Sequence, residues 1–137
     1  MRAAVIEEYG EQTDIQVKQI PVPEVGEADV KVKVKAAGVN PVDWKIRKGY
    51  MKGRIEEKFP LTLGWDVAGE VVEVGHAARR FLPGAKVYAY ARRPILHYGT
   101  YAEYVVLPES YFSEIPENLT YEQAGTVPLA SLTAYQA

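Results

Sequence analysis

Asp29–Ala37 carries the clearest hydrophobic pattern in the chain. Val30, Val32 and Val34 alternate with Lys31, Lys33 and Lys35. A period of two puts the valines on one face of a strand and the lysines on the other. The same rule predicts strands over Arg2–Glu8, Asp14–Ile20, Ala85–Tyr90, Gly99–Leu107 and Tyr111–Ile115. The longest is Gly64–Gly75, GWDVAGEVVEVG. Its valines suit a pleated, half-buried surface, and its interior glycine marks a bend, bulge or close backbone approach. Helical spacing is rarer. Asn40 before Pro41 predicts a short helix that Gly49 closes, with Val42 and Ile46 on one face. Thr120 and Gln123 have capping-box spacing for a second helix, which Pro128 breaks or restarts. Leu129–Ala137 then reads helical, and its pattern stops with no glycine or proline, so more chain is expected beyond it. Tyr50–Pro60 and Ala91–Tyr98 are expected to be loops. Many short strands, little helix and no βαβ unit predict a mainly β fold, an antiparallel barrel or sandwich without a Rossmann domain.

Composition narrows the function classes. The chain has 137 residues, a net charge of −2 and no cysteine. That excludes a disulfide framework and a thiolate zinc site, and offers nothing toward nucleic acid or anionic membrane. No segment approaches the ~20 apolar residues of a membrane span. A cytoplasmic protein is expected. The glycines at 64, 69 and 75 invite a nucleotide reading, but their spacing fits neither GxGxxG nor GxxxxGK[ST], because strand follows the first glycine and Glu70 follows the second.

A set of short motifs, in order, covers nearly the whole chain: AAGVNPVD at Ala36–Asp43, IRKG at Ile46–Gly49, GWDVAG at Gly64–Gly69, FLPG at Phe81–Gly84, GTYAEY at Gly99–Tyr104 and LTA at Leu132–Ala134. Together they resemble the N-terminal GroES-like catalytic domain of the medium-chain dehydrogenase/reductase superfamily. The closest branch is the zinc-independent quinone oxidoreductases of the zeta-crystallin type. The resemblance implies a partly open antiparallel β-barrel over residues 1–126. It makes residues 127–137 the start of a helix into a cofactor-binding Rossmann domain, which this chain lacks and which must act in cis or in trans. It implies NADPH or NADH as cofactor, a quinone or enone as substrate and a homodimer for the complete enzyme. It also implies that the chain alone is inactive. Zinc-using relatives carry a cysteine at position 40, a His-Glu pair at 65–66 and a four-cysteine lobe. Here the positions hold Asn40, Trp65 and Asp66, so no zinc is expected.

The resemblance places Asn40 and Tyr50 at the reacting carbonyl, Asn40, Pro41, Asp43 and Thr133 on the cofactor side, and Trp65 and Tyr90 on the substrate side. Each also has a plainer reading. Asn40 is a helix N-cap, Asp43 a first-turn carboxylate facing the helix dipole, Tyr50 a packing residue and Trp65 a core filler. Asp66 reads as a general base or as the partner of Arg47 or another basic residue. The basic run from Lys45 to Lys58 reads as a solvated face. His76 and His97 have no assigned role, and Tyr90, Tyr98 and Tyr101 are candidates for a pocket wall. Two other functions stay in view: a binding module that kept only the barrel, and a co-chaperonin suggested by fold alone, which no mobile apolar loop supports.

Overall fold

The computed structural model describes residues 1–11 and 14–137. Ten strands and three short helices follow in order. They are β1 (Arg2–Ile6), β2 (Gln16–Gln19), β3 (Asp29–Gly38), α1 (Pro41–Arg47), β4 (Glu56–Glu57), β5 (Leu61–Thr62), β6 (Asp66–Val74), β7 (Lys86–Tyr90), β8 (Ile95–Leu96), β9 (Tyr104–Pro108), β10 (Phe112–Glu114), α2 (Tyr121–Gly125) and α3 (Pro128–Gln136). A five-stranded antiparallel sheet, β10-β7-β6-β3-β9, curls into the expected partly open barrel, and a three-stranded sheet, β2-β1-β5, lies beside it. No helix among the described residues is long and apolar enough to cross a membrane.

The barrel interior is the product of the alternation. Val30 and Val32 of β3, Val67 and Val71 of β6, Val87 of β7, Val105 and Leu107 of β9 and Phe112 of β10 form one core. Lys33 and Lys35 stay exposed, and Lys31 pairs with Glu73 across the β3–β6 ladder. A second core gathers Ile6, Ile46, Leu61, Leu63, Trp65 and Leu96 where α1 meets the smaller sheet.

Several boundaries differ from the pattern-based expectation, each for a reason of pairing. Gly64 lies outside the strand at φ +97°, and β6 starts at Asp66. A side chain at 64 would collide with Thr100 and the Tyr101 ring, so both its backbone and its space demand glycine. Along β6 the alternation fails from Asp66 to Gly69, all buried, because α2 packs over this end of β3 and β6. At Gly69 a Cβ would strike the Lys33 carbonyl oxygen, and the β3–β6 register shifts there, between Val34 and Ala36. The expected strand over Gly99–Leu107 begins only at Tyr104. Its first residues bond elsewhere: Tyr101 N–H donates to Leu63 O and Ala4 N–H to Tyr101 O. Within the two expected loops, Glu56–Glu57 and Ile95–Leu96 pair in parallel.

The caps follow the sequence. Thr120 and Gln123 bond reciprocally, at 3.2 and 3.0 Å. After α1, Gly49 at φ +81° closes a Schellman motif, with Gly49 N–H donating to Ile46 O and Tyr50 N–H to Lys45 O.

Candidate functional site

Where β3 ends and α1 begins, the chain buries two carboxylates. Asp43 is 4 % exposed and Asp66 1 %. Asp43 stands on the first turn of α1, where a carboxylate complements the helix N-terminus. It accepts three hydrogen bonds: Asn40 N–H to Oδ2 at 2.7 Å, Tyr101 O–H to Oδ2 at 2.8 Å and Gly64 N–H to Oδ1 at 3.1 Å. Asp66 opens β6, opposite Gly38 in the ladder. Its Oδ2 accepts from Asn40 Nδ2 at 2.9 Å and its Oδ1 from Leu129 N–H, in the first turn of α3, at 3.0 Å.

The network therefore clamps Asn40 twice, Asp43 holding its backbone and Asp66 its side chain. Asn40 is the N-cap of α1, as expected, and its backbone oxygen accepts from Asp43 N–H at 3.0 Å. Its backbone is extended, its side-chain amide turns to Asp66, and the α1 carboxylate that bonds back to the cap is Asp43. The expected Asp66–Arg47 pair is not made. Arg47 Nη1 donates instead to Gly10 O at 2.6 Å, one turn further along α1 from Asp43.

Burial without a cationic partner shapes the electrostatics. Desolvation pushes the Asp43 carboxyl above the usual range, opposed by its bonds from Asn40, Tyr101 and Gly64. Desolvation also raises Asp66, opposed by Asn40 and the Leu129 amide and reinforced by the charge of Asp43. The Tyr101 phenol is held well above its ordinary value, by burial first and then by Asp43. Tyr101 thus stays a proton donor to Asp43.

The remaining candidates are spread around this centre. Trp65 lies between Gly64 and Asp66, is 8 % exposed and belongs to the second core. Its ring meets Tyr90 edge-on at 6.0 Å, and the Arg92 guanidinium lies 5.4 Å from its centroid. Pro41 and Thr133 are exposed, at the start of α1 and on α3. Tyr50 is 59 % exposed and packs edge-on against Trp44, outside the hydrogen-bond network. Among the described residues no three His, Cys, Asp or Glu side chains converge as a metal site would require. Tyr101 as partner of Asp43 and Asp66 as anchor of Asn40 were not anticipated. The available signal was Asp66 itself, a lone acid in the apolar run Leu61–Gly69, since a carboxylate buried in a core needs dedicated donors.

Residues 26–117 match the family model "Alcohol dehydrogenase GroES-like domain". The chain belongs to this family. It is 38 % identical over 138 residues to the "Quinone-oxidoreductase homolog, chloroplastic" of Spinacia oleracea, covering all of this chain and 41 % of that protein. It is 38 % identical over 139 residues to the "NADPH-dependent alkenal/one oxidoreductase, chloroplastic" of Arabidopsis thaliana, covering 98 % of this chain and 36 % of that one. The solved quinone oxidoreductase of Coxiella burnetii superposes with a TM-score of 0.90 at 33 % identity, over 99 % of this chain and 43 % of its own. The chain thus spans less than half the length of each of these proteins. These matches bear out the expected quinone oxidoreductase kinship and the GroES-like fold.

Proposed function

We propose that this chain is the substrate-side portion of an NAD(P)H-dependent oxidoreductase that passes hydride to a quinone or an α,β-unsaturated carbonyl. Two of its relatives carry names for such activities, a quinone oxidoreductase homolog and an alkenal/one oxidoreductase. The observation that carries the reading is the double clamp on Asn40, a half-buried amide held by two buried carboxylates.

The reduced nicotinamide, when bound, supplies the hydride. The task left to this chain is to place a donor where the substrate oxygen gains charge and to keep that donor rigid. Asn40 spends one amide N–H on Asp66 and keeps a second N–H and a carbonyl oxygen. The free N–H serves the substrate oxygen or a ribose hydroxyl, and the carbonyl accepts from the ribose. Because Asp66 only accepts when ionised, it also fixes which end of the Asn40 amide points away from it.

Asp43 acts without touching the cofactor, since it is spent on Asn40, Tyr101 and Gly64. Pro41 and Thr133, both exposed, form the cofactor-side rim. These groups fit the ribose and nicotinamide end of a dinucleotide. The chain has no glycine-rich phosphate loop for the other end, which we assign to a Rossmann domain entered through residues 127–137. There Leu132 and Tyr135 are 40 % and 89 % exposed. Trp65 and Tyr90 supply an aromatic wall for a flat substrate, and Tyr50 is a donor at its outer edge. We assign no zinc to the step, because the chain offers no thiolate and both carboxylates are already committed to N–H and O–H donors. The cofactor is NADPH or NADH, and the cytoplasm is the proposed compartment.

Grafting the chain in place of the matching 43 % of the Coxiella burnetii protein tests the proposal. The chimera is expected to oxidise NADPH only when a quinone is present. A soluble, folded chimera with no rate above that of the acceptor half alone sinks it.

A further inference from the structure

A cavity of about 420 Å³ opens beside the loop that follows β7, among Lys58, Arg93, Ile95, His97, Tyr98 and Tyr111. None of these residues belongs to the Asn40–Asp43–Asp66–Tyr101 network. The volume lies in the range of small-ligand sites, and the walls combine flat rings and aliphatic surface with two cations.

Arg93 is the unusual member. Its side chain is half-buried, and its Nε is fully buried with no hydrogen-bond partner. Among the described residues neither Arg93 nor Lys58 forms an ion pair. Desolvation disfavours the Arg93 charge, and Asp29, although its field acts on the guanidinium, makes no ion pair with it. An unpaired, partly desolvated guanidinium is unfavourable on its own. It is also what a carboxylate-binding site needs, because Arg93 lines the cavity with a planar fork of donors that is already partly dehydrated and unpaired.

Part of the lining is anchored by hydrogen bonds. His97 Nδ1 lies 2.8 Å from Lys58 O and 3.0 Å from Pro60 O. Carbonyl oxygens only accept, so Nδ1 carries the hydrogen. These bonds fix the ring, which lies against Tyr98 with centroids 4.1 Å apart and planes inclined at 49°. Tyr98 thereby rests on an anchored ring and offers the cavity an aromatic surface.

We propose that this cavity binds a small organic anion: a flat, apolar body bearing a carboxylate, with Arg93 as the forked partner, Lys58 as the second cation and Tyr98 and Tyr111 as the faces. Inorganic phosphate would satisfy the charges and leave the aromatic walls unused. The proposal involves no cofactor, so it stands or falls separately from the hydride-transfer reading.

The test titrates the chain with 2-naphthoate, with neutral 2-naphthol and with inorganic phosphate, following the Arg93 Nε–H resonance by NMR. Saturable binding of 2-naphthoate that moves this resonance, at least tenfold tighter than 2-naphthol or phosphate, is expected. Arg93→Gln is expected to weaken 2-naphthoate at least tenfold. Arg93→Met is expected to raise Tm by a few degrees in the free chain, because it removes an unpaired charge. No saturation, an unmoved Nε–H resonance, equal affinity for the naphthol, tighter binding of phosphate, or a Tm lowered by Arg93→Met would each overturn the proposal. The resonance is read on the native chain, so a variant that fails to fold does not shield it.

Discussion

β6 runs through two buried environments of opposite kind. Its middle, Val67 and Val71, sits in the barrel core among valines, Leu107 and Phe112. Its first residue, Asp66, is as buried as they are, yet it is a carboxylate joined to Asn40 and to the head of α3. The barrel core tolerates change in proportion to volume, because its contacts are many, weak and non-directional. The polar end depends on a few directed bonds, and losing one leaves a buried donor or acceptor orphaned. The first region holds the fold. The second fixes one amide, that of Asn40.

Four substitutions or conditions probe that contrast, the largest effect first. Phe112 is the largest fully buried side chain, and Phe112→Ala should cost about 3–5 kcal/mol in chemical denaturation, with no change in the Asn40 side-chain NMR signals in the surviving folded fraction. Asp43→Ala orphans the Gly64 and Asn40 N–H groups and the Tyr101 hydroxyl. Its cost should be about 2–4 kcal/mol, and unlike Phe112→Ala it should shift the Asn40 amide signals.

The third probe is pH. The folded Asp43 and Asp66 have raised pKa values, so the folded chain binds more protons than the unfolded one between the ordinary carboxylate range and those raised values. Their contribution therefore strengthens as pH falls through that window and is lost as pH rises through the folded pKa, with a slope of at most about 1.4 kcal/mol per pH unit for each group. Asp66→Asn should flatten urea-midpoint curves over that window. An unchanged slope would mean that Asp66 is not desolvated as the structure shows it. The smallest effect belongs to the surface: Lys31→Gln, which breaks the cross-strand pair with Glu73, should cost less than about 1 kcal/mol.

What the sequence revealed divides along the same line. The alternation in β3, the Thr120–Gln123 box and the Gly49 stop are local, each written in residues a few positions apart, and all three occur as read. The parallel pairing of Glu56–Glu57 with Ile95–Leu96 joins segments nearly forty residues apart, and no local pattern announces it. Gly64 is required both by its φ of +97° and by Thr100 and Tyr101, which fill the space a side chain would need, and neither reason is written near it in the sequence. The candidate site is legible to the same degree. Asn40 and Asp43 stand in one short motif and meet in space. Asp66 is visible as an acid, but not its partners: Arg47 bonds to Gly10 O, while Asp66 takes the Asn40 amide and the Leu129 N–H, 26 and 63 positions away. Tyr101 is 58 positions from Asp43, and only the fold brings them to 2.8 Å.

The most direct test of the central claim, that Asp66 positions Asn40 for hydride transfer, is a double-mutant cycle on kcat in the NADPH–quinone chimera. Asn40→Ala is expected to lower kcat by about two orders of magnitude, as loss of one donor to a developing oxyanion does. Asp66→Asn is expected to lower it about tenfold with little change in the quinone KM. The double variant should be no slower than Asn40→Ala alone, because a positioning group has nothing left to position. Independent, multiplying losses from the two substitutions, or a native kcat in Asp66→Asn, would contradict the account.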